Sequence, residues 1–478
     1  MLLKELLKDA PDRFADIEIK GITDDSRKVS EGYVYVCIVG TVSDGHNYAA
    51  SAVKNGASVI VAQKDTGEEN QIIVEDTRAV YALMSAAWFS NPADKLKLVG
   101  VTGTNGKTSV THIIKHILEA NGEKVGLIGT IQNMIGDRVI PTERTTPNCY
   151  ELNSLFADMV NEGCTYAVME VSSHALDQKR VYGMNFEVGI FTNLTQDHLD
   201  YHITMENYLE AKKRLFGMCK YAVVNNDDCY SEKLIDGLSC EVLTVSAQSQ
   251  STDYFAREID YRADGVSFVL DGKDKLELSL STGGKFSVYN AMSAVVASLA
   301  LGIDEKVIKD AVCAQQGVKG RAEVFPCPFD FTVIIDYAHT PDGLENILST
   351  FNECKKGRLV VLFGCGGDRD KTKRSIMGRI AAEKADFVIV TSDNPRSENP
   401  TAIIEDILVG MKDTSTPYAV IENRIEAINY AVDNAVKNDI IVLAGKGHET
   451  YQILANETIH LDEREILSQA MEKRKEVK

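Results

Sequence analysis

The chain has 478 residues, with hydrophobic residues at 44%, charged residues at 25% and a formal net charge of −19. That composition is ordinary for a globular protein of about three domains, large enough to bury several cores without metal or disulfide staples. The acid excess argues against a general nucleic-acid or anionic-membrane surface, which needs a basic face. An acidic small ligand remains compatible, provided local lysines, arginines and backbone N–H groups receive it.

The N-terminus opens on a short amphipathic helix pattern. It lacks the basic segment, apolar stretch and small-residue cleavage site of a signal peptide. No apolar run approaches the ~20 residues that span a bilayer, so a soluble, cytoplasmic protein is expected. The ten cysteines are scattered without a C-x-x-C pair, which favours buried reduced thiols over a metal site or disulfide framework.

Residues 1–93 read as short strands and one or two helices. Strand-like runs are Tyr33 to Val39, Ser58 to Ala62 and Ile72 to Val74, with Gly45, Gly56 and Gly67 as turn signals. Asn91-Pro92-Ala93-Asp94 reads as a linker. Residues 94–319 begin with a buried strand, Lys97 to Thr102, then a glycine-rich turn, then a helix. That helix carries Val110, Ile113, Ile114, Ile117 and Leu118 on one face and is stopped by Asn121-Gly122. Further strands, Tyr166 to Glu170, Val188 to Asn193 and Ala222 to Asn225, alternate with helices and imply a mostly parallel sheet. A β-rich stretch, Arg257 to Ser281, interrupts the alternation, and a helix after Tyr289 closes the segment.

Residues 320–478 form a third α/β segment with a Rossmann-like pattern. Its strands are Thr332 to Asp336, Leu359 to Phe363, Phe387 to Thr391 and Ile440 to Ala444. Each runs into polar or glycine residues, including Gly364 to Arg369, Asp393-Asn394-Pro395-Arg396 and Gly445 to Glu449. Ligands of open parallel sheets bind beyond the carboxyl ends of the strands, so these four ends mark one edge as a site.

The turn Thr102-Gly103-Thr104-Asn105-Gly106-Lys107-Thr108, with Ser109 next, has the composition of a phosphate cradle. Its glycines let the backbone turn N–H groups toward phosphate oxygens, Lys107 supplies charge, and the Thr108 hydroxyl can ligate Mg²⁺. Val101 stands where the usual loop has its first glycine. By itself the turn indicates a nucleoside triphosphate and no particular reaction.

Several ordered segments together resemble the Mur ligase family, which also includes folylpolyglutamate synthases. They are Asp24 to Arg27, Thr102 to Thr108, Glu170 to Ala175, Thr192 to His202, Ala211-Lys212, Tyr289 to Ala291, Gly320 to Glu323 and Asp336 to Pro341. Ser287 and Gln196 depart locally from the family pattern. The resemblance implies three domains, 1–93 for a UDP-linked substrate, 94–319 for ATP and 320–478 for an amino acid. It implies an ATP-dependent ligase of peptidoglycan precursor synthesis: ATP phosphorylates a carboxylate, an amine attacks the acyl phosphate, and an amide forms. A monomer acting only on small molecules is expected.

The resemblance also implies roles. Lys107 and the loop residues hold ATP phosphates. Glu170, His198 and Thr108 hold Mg²⁺, joined by Lys212 as a carbamate. Asn290 and Asp336 contact adenosine, with Arg321 and His339 nearer the phosphates on domain closure. Taken alone, Glu170 would read as a surface carboxylate, His198 as a helix-cap or core histidine, and Lys212 as a solvated helix lysine like Lys213 beside it. Ser26 and Arg27, with His46 a weaker candidate, match the uridine segment. Thr145, Thr146, Ser172, Gln178 and Arg180 match positions that hold the remainder of a UDP-muramoyl dipeptide. Asp393 to Arg396 has the form that accompanies meso-diaminopimelate, and Arg369, Gly445 and Glu449 match contacts to that amino acid. Diaminopimelate differs from lysine by a distal carboxylate, which a planar guanidinium can bind bidentately. A switch-type or transport NTPase would account for Lys107 and Thr108 but not for the third segment's strand ends. A scaffold without activity is disfavoured by the absence of disabling replacements.

Overall fold

The computed structural model describes residues 1–40, 43–273 and 275–477. Two compact units are present, one of Met1–Val224 with Asp228–Leu243 and Ala297–Ile303, the other of Asn225–Asp227, Thr244–Val296 and Asp304–Lys478.

The first unit contains a small parallel sheet of β1 (Gly21–Thr23), β2 (Tyr33–Val36), β3 (Ala57–Ala62) and β4 (Gln71–Ile73), in that order. The strand expected to reach Val39 stops at Val36. Beyond it the chain turns back, with the Gly45 N–H bonded to the Ile38 carbonyl at 2.9 Å. The expected linker at 91–94 contains a 3₁₀ turn, Pro92–Lys95, entered through Asn91 in the left-handed region. Proline suits the first position of such a turn because its missing N–H would be unpaired there in any case.

The unit's larger sheet is built on β5 (Lys97–Thr102), with β6 (Val125–Ile128), β7 (Asn133–Ile135), β8 (Arg138–Ile140), β9 (Tyr166–Glu170), β10 (Phe186–Phe191) and β11 (Cys219–Asn225). The order β11-β10-β5-β9-β6 is parallel throughout, and β6-β7-β8 is antiparallel. Parallel pairing brings the carboxyl ends of β10, β5, β9 and β6 to one edge. Helix Lys107–Ala120 buries Val110, Ile113, Ile114, Ile117 and Leu118, the expected face. Each such side chain contributes about 1.5–3 kcal/mol on burial. Truncating the fully buried Ile117 to alanine would cost about 2–5 kcal/mol.

In the second unit β12 (Glu241–Ser246) ends parallel to β13 (Tyr254–Arg262); β13 pairs antiparallel with β14 (Gly265–Asp271), and β14 antiparallel with β15 (Lys275–Leu280). The alternating burial of β15 is that of a strand with one wet face. The helix expected after Tyr289 begins at Lys285, so Tyr289 and Asn290 lie inside it. The unit's main sheet has β16 (Glu323–Phe325), β17 (Thr332–Asp336), β18 (Leu359–Phe363), β19 (Phe387–Val390), β20 (Tyr418–Val420) and β21 (Ile440–Ala444), in the order β16-β17-β21-β18-β19-β20. All pairs except β16 with β17 are parallel. One core packs Ile334, Val361 and Val442 against Phe351, Met377 and Ile407. The other packs Ile335, Leu362 and Leu443 against Ile428, Val432 and Leu467. Helices thus cover both faces, as a parallel sheet requires.

Among the described residues no helix is long and apolar enough to cross a membrane. The cysteines are free thiols, and burial pushes Cys37, Cys149 and Cys365 up to about 12.

Candidate functional site

The turn after β5 is held open by bonds from the neighbouring strand end. The Thr104 N–H donates to the Asn193 carbonyl at 2.9 Å, the Asn105 N–H to Asn193 Oδ1 at 2.9 Å, and Thr192 Oγ1 to the Asn105 carbonyl at 2.6 Å. Gly103 has φ +149°, and a Cβ there would meet Thr192 Oγ1 at 1.9 Å. Gly106 caps the following helix at φ 88°. Lys107 folds back over the turn, its Nζ donating to the carbonyls of Gly103 and Thr104 at 2.9 and 2.8 Å. The helix beginning at Lys107 turns a positive dipole end toward the loop, where an anion is favoured.

Glu170, at the end of β9, is 1% exposed, so the surface-carboxylate reading fails. Its Oε1 accepts from Thr108 Oγ1 at 2.9 Å and from the Thr130 N–H at 2.9 Å. Its Oε2 accepts from Thr130 Oγ1 at 2.9 Å. Gly129 makes room, since a Cβ there would stand 2.5 Å from Glu170 Oε1. Thr130 carried no signal in the sequence: a single threonine after a four-residue strand is unremarkable until β6 is set beside β9. Thr130 Oγ1 also lies 3.0 Å from Thr145 Oγ1.

Among the described residues no three His, Cys, Asp or Glu side chains are placed to hold a metal ion together. The donor set nevertheless suits Mg²⁺, which takes one or two protein oxygens and completes its shell with waters and phosphates. Thr108 and Glu170 supply that hard-oxygen pair.

The next turn assembles the expected polar row. Thr146 Oγ1 donates to the Glu170 carbonyl at 2.8 Å and accepts from the Ser172 N–H at 3.0 Å. Ser172 caps helix Ser173–Asp177. Arg180 Nη1 donates to the Thr146 carbonyl at 2.6 Å and Nη2 to Gln178 Oε1 at 2.8 Å. Thr145, Thr146, Ser172, Gln178 and Arg180 are therefore neighbours.

His198 occupies the N-cap position of a short helix in the left-handed region, φ 53°, and desolvation holds its pKa below the ordinary value. It belongs to an aromatic cluster that sequence reasoning left without a role. His174 lies 4.9 Å from His198 and 4.2 Å from Tyr201, and His202 stacks on Tyr208 at 5.0 Å between ring centroids. Burial, then the His198 and His202 rings, lower His174 to about 4.

Lys212 is 1% exposed, with its Nζ 4.4 Å from the Tyr208 ring centre. Desolvation, then the Lys107 charge, lower its pKa well below the usual lysine value. No hydrogen bond or ion pair joins its Nζ to another described residue. Lys213, expected to be solvated, instead donates to the carbonyls of Lys233 and Asp236 at 3.0 and 2.6 Å. It ties its helix to the end of the helix Ser231–Ile235.

In the small sheet Ser26 and Arg27 form a 3₁₀ turn capped by Asp25, and exposed Arg27 pairs with both Asp25 oxygens at 2.9 Å. His46 is spent on the fold: the Gln63 N–H donates to its Nε2 at 2.9 Å, so Nδ1 donates to Asp44 at 2.6 Å.

In the second unit Asn290 is buried within its helix. The carboxylate of Asp336 accepts from the N–H groups of Ala322 and Ala338 at 2.7 and 2.8 Å, which orders the turn carrying Arg321. The Arg321 guanidinium lies 5.1 Å from the Tyr337 ring centre, and His339 Nδ1 is 2.8 Å from the Tyr337 carbonyl.

The ends of β18, β19 and β21 converge. Arg396, at φ 51°, donates from Nη1 to the Gly367 carbonyl at 2.8 Å, and Arg369 Nη1 donates to the Asp368 carbonyl at 3.0 Å. Gly367 approaches so closely that a Cβ would sit 1.9 Å from the Pro395 carbonyl oxygen. Gly445, at φ +113°, leaves space for the Asp393 carboxylate, 2.7 Å from where its Cβ would be. Asn394 Nδ2 donates to Glu449 Oε2 at 3.0 Å. Arg369, Asp393, Asn394, Pro395, Arg396, Gly445 and Glu449 thus form one cluster.

Family models match along the chain: Mur ligase family, catalytic domain, over residues 18–91; Mur ligase middle domain over 101–298; and Mur ligase, glutamate ligase domain, over 320–447. The chain belongs to the Mur ligase family. Among its relatives is the UDP-N-acetylmuramoyl-L-alanyl-D-glutamate–2,6-diaminopimelate ligase of Caldanaerobacter subterraneus subsp. tengcongensis, 49% identical over 95% of each chain. The identically named protein of Listeria monocytogenes serovar 1/2a is 45% identical over 99% of each. A solved structure of a ligase of that name shares 31% identity over 99% of each chain with a TM-score of 0.75. A MurF ligase from Thermotoga maritima, solved with ADP, shares the fold at 18% identity over 96% of this chain and 99% of its own, TM-score 0.62.

Proposed function

We propose that this chain is an ATP-dependent acid–amino-acid ligase that adds meso-diaminopimelate to UDP-N-acetylmuramoyl-L-alanyl-D-glutamate in peptidoglycan precursor synthesis. The observation that carries the choice of amine is the cluster beyond β18, β19 and β21. Two guanidinium groups, an amide and a carboxylate converge there, complementary to an amino acid with an extra distal carboxylate and ammonium.

In this reading the γ-phosphoryl group of ATP passes to the substrate carboxylate and ADP leaves. The amine nitrogen then attacks the acyl carbon, the C–N bond forms, the C–O bond to phosphate breaks, and the nitrogen gives up a proton as phosphate leaves. The N–H groups of the 103–109 turn cradle the phosphates, and Lys107 exchanges its carbonyl partners for phosphate oxygens. Asn290 and Asp336 orient the adenosine, with Arg321 and His339 serving the phosphate end. Ser26 and Arg27 hold the uridine part, Arg27 trading Asp25 for the ligand. Thr145, Thr146, Ser172, Gln178 and Arg180 hold the muramoyl dipeptide. Magnesium, when bound, neutralises phosphate charge; Thr108, Glu170, His198 and Lys212 as a carbamate would hold it. A buried amine kept neutral is the form that attacks CO₂, losing a proton as the N–C bond forms.

The family matches at 18–91, 101–298 and 320–447 support domains of 1–93, 94–319 and 320–478. The proposed setting is cytoplasmic, and the proposed active form is a monomer.

The test is a product assay with UDP-muramoyl dipeptide, ATP, magnesium and a panel of amino acids, read by mass spectrometry. Formation of the diaminopimelate adduct supports the reading. ATP hydrolysis that needs neither amine nor UDP substrate would replace it with a switch-type NTPase.

A further inference from the structure

We propose that Lys446 is the positioning residue that sets the geometry of the amino-acid site, an inference that rests on the diaminopimelate reading above. Lysine is almost never fully buried unless its charge is met, yet Lys446 is 0% exposed at the end of β21. An ammonium has three donors, and three acceptors surround this one. Its Nζ donates to Asn394 Oδ1 at 2.7 Å, to the Tyr451 carbonyl at 2.7 Å and to Glu449 Oε2 at 3.1 Å. Asp393 Oδ1 lies 3.7 Å away.

These bonds leave Asn394 one orientation. Its Oδ1 takes Lys446 and the Ile453 N–H, at 2.9 Å, so its Nδ2 turns to Glu449. Glu449 Oε2 is held by two donors, while Oε1 has no hydrogen-bond partner among the described residues and is left for a ligand ammonium. One buried charge thus fixes Asn394 and Glu449 and lies beside Asp393, on loops from two different strands. Without it Asn394 Oδ1 would keep only the Ile453 N–H, and Glu449 Oε2 would lose one of the two donors that aim it.

The experiment measures kcat and KM for all three substrates in wild-type protein and in Lys446→Met, with folding checked by thermal melting. The expected result is a rise of about 10- to 100-fold in KM for meso-diaminopimelate, the loss typical of a hydrogen bond to a charged group. The preference for meso-diaminopimelate over L-lysine falls with it, while KM for ATP and for the UDP substrate stays within about twofold. A folded variant with wild-type KM for diaminopimelate, or a uniform loss with unchanged preference, overturns the proposal. Wild-type protein that does not use diaminopimelate at all removes the site reading and this inference with it. If Lys446→Met does not fold, ¹⁵N NMR of the wild-type lysine ammonium groups carries the test. A slowly exchanging Lys446 resonance that shifts with meso-diaminopimelate and not with L-lysine supports the proposal, and an unmoved one overturns it.

Discussion

Thr108 donates its hydroxyl to Glu170 across 2.9 Å, joining the first turn of the helix after the phosphate loop to the end of the neighbouring strand. That bond turns a hydroxyl and a carboxylate from segments 62 residues apart into one oxygen pair. Thr108→Val should lower kcat about 100-fold, the usual scale for deleting one preorganised polar group. It should also cost about 1–3 kcal/mol of stability by stripping a partner from a buried carboxylate. Steady-state kinetics and urea unfolding measure both; unchanged turnover would separate Glu170 from the chemistry.

Gly103→Ala places a methyl group on Thr192 Oγ1 and forces alanine to φ +149°. Backbone strain of this kind costs about 1–3 kcal/mol, and relief by moving the turn would spoil the phosphate cradle. Calorimetric titration with a non-hydrolysable ATP analogue should show nucleotide binding lost while the fold persists. Full affinity would mean that phosphates bind elsewhere.

Lys212 is buried, unpaired among the described residues and held well below the usual lysine pKa. Removing dissolved CO₂ should therefore lower activity, added bicarbonate should restore it, and Lys212→Ala should be insensitive to both. ¹³C NMR of protein equilibrated with labelled bicarbonate should show a carbamate carbon missing from that variant. Activity indifferent to CO₂ would leave Lys212 as an unmodified buried amine.

His174 is lowered to about 4, whereas an unfolded histidine titrates near 6.5. Between those values the unfolded chain binds the extra proton, so the contribution is fully present above about pH 6.5 and is lost as pH falls through about 4. Melting temperatures at pH 7 and pH 5 should differ more for wild-type protein than for His174→Asn. Equal drops would place the acid sensitivity elsewhere.

Much of this was legible because strand ends announce themselves. Lys97–Thr102, Thr332–Asp336, Leu359–Phe363 and Ile440–Ala444 are continuous apolar runs that meet glycine or aspartate, and their observed limits match the reading. What escaped depends on which strands become neighbours. Thr130 matters only because β6 lies beside β9, and the His174 cluster only because the helix Ser173–Asp177 meets the short helix Leu199–His202. Lys446 and Lys213 show the remaining gap: nothing in a lysine's local sequence says whether its ammonium is sealed beneath a loop, spent on helix carbonyls or solvated.

The most direct test of the central claim compares phosphate release with meso-diaminopimelate and with L-lysine, at saturating ATP and UDP-muramoyl dipeptide, in wild-type protein and Arg396→Ala. The account predicts a wild-type preference of about 100-fold or more for diaminopimelate, set by the unmet guanidinium charge when lysine binds, and collapse of that preference in the variant. Equal rates with the two amines in wild-type protein would contradict it.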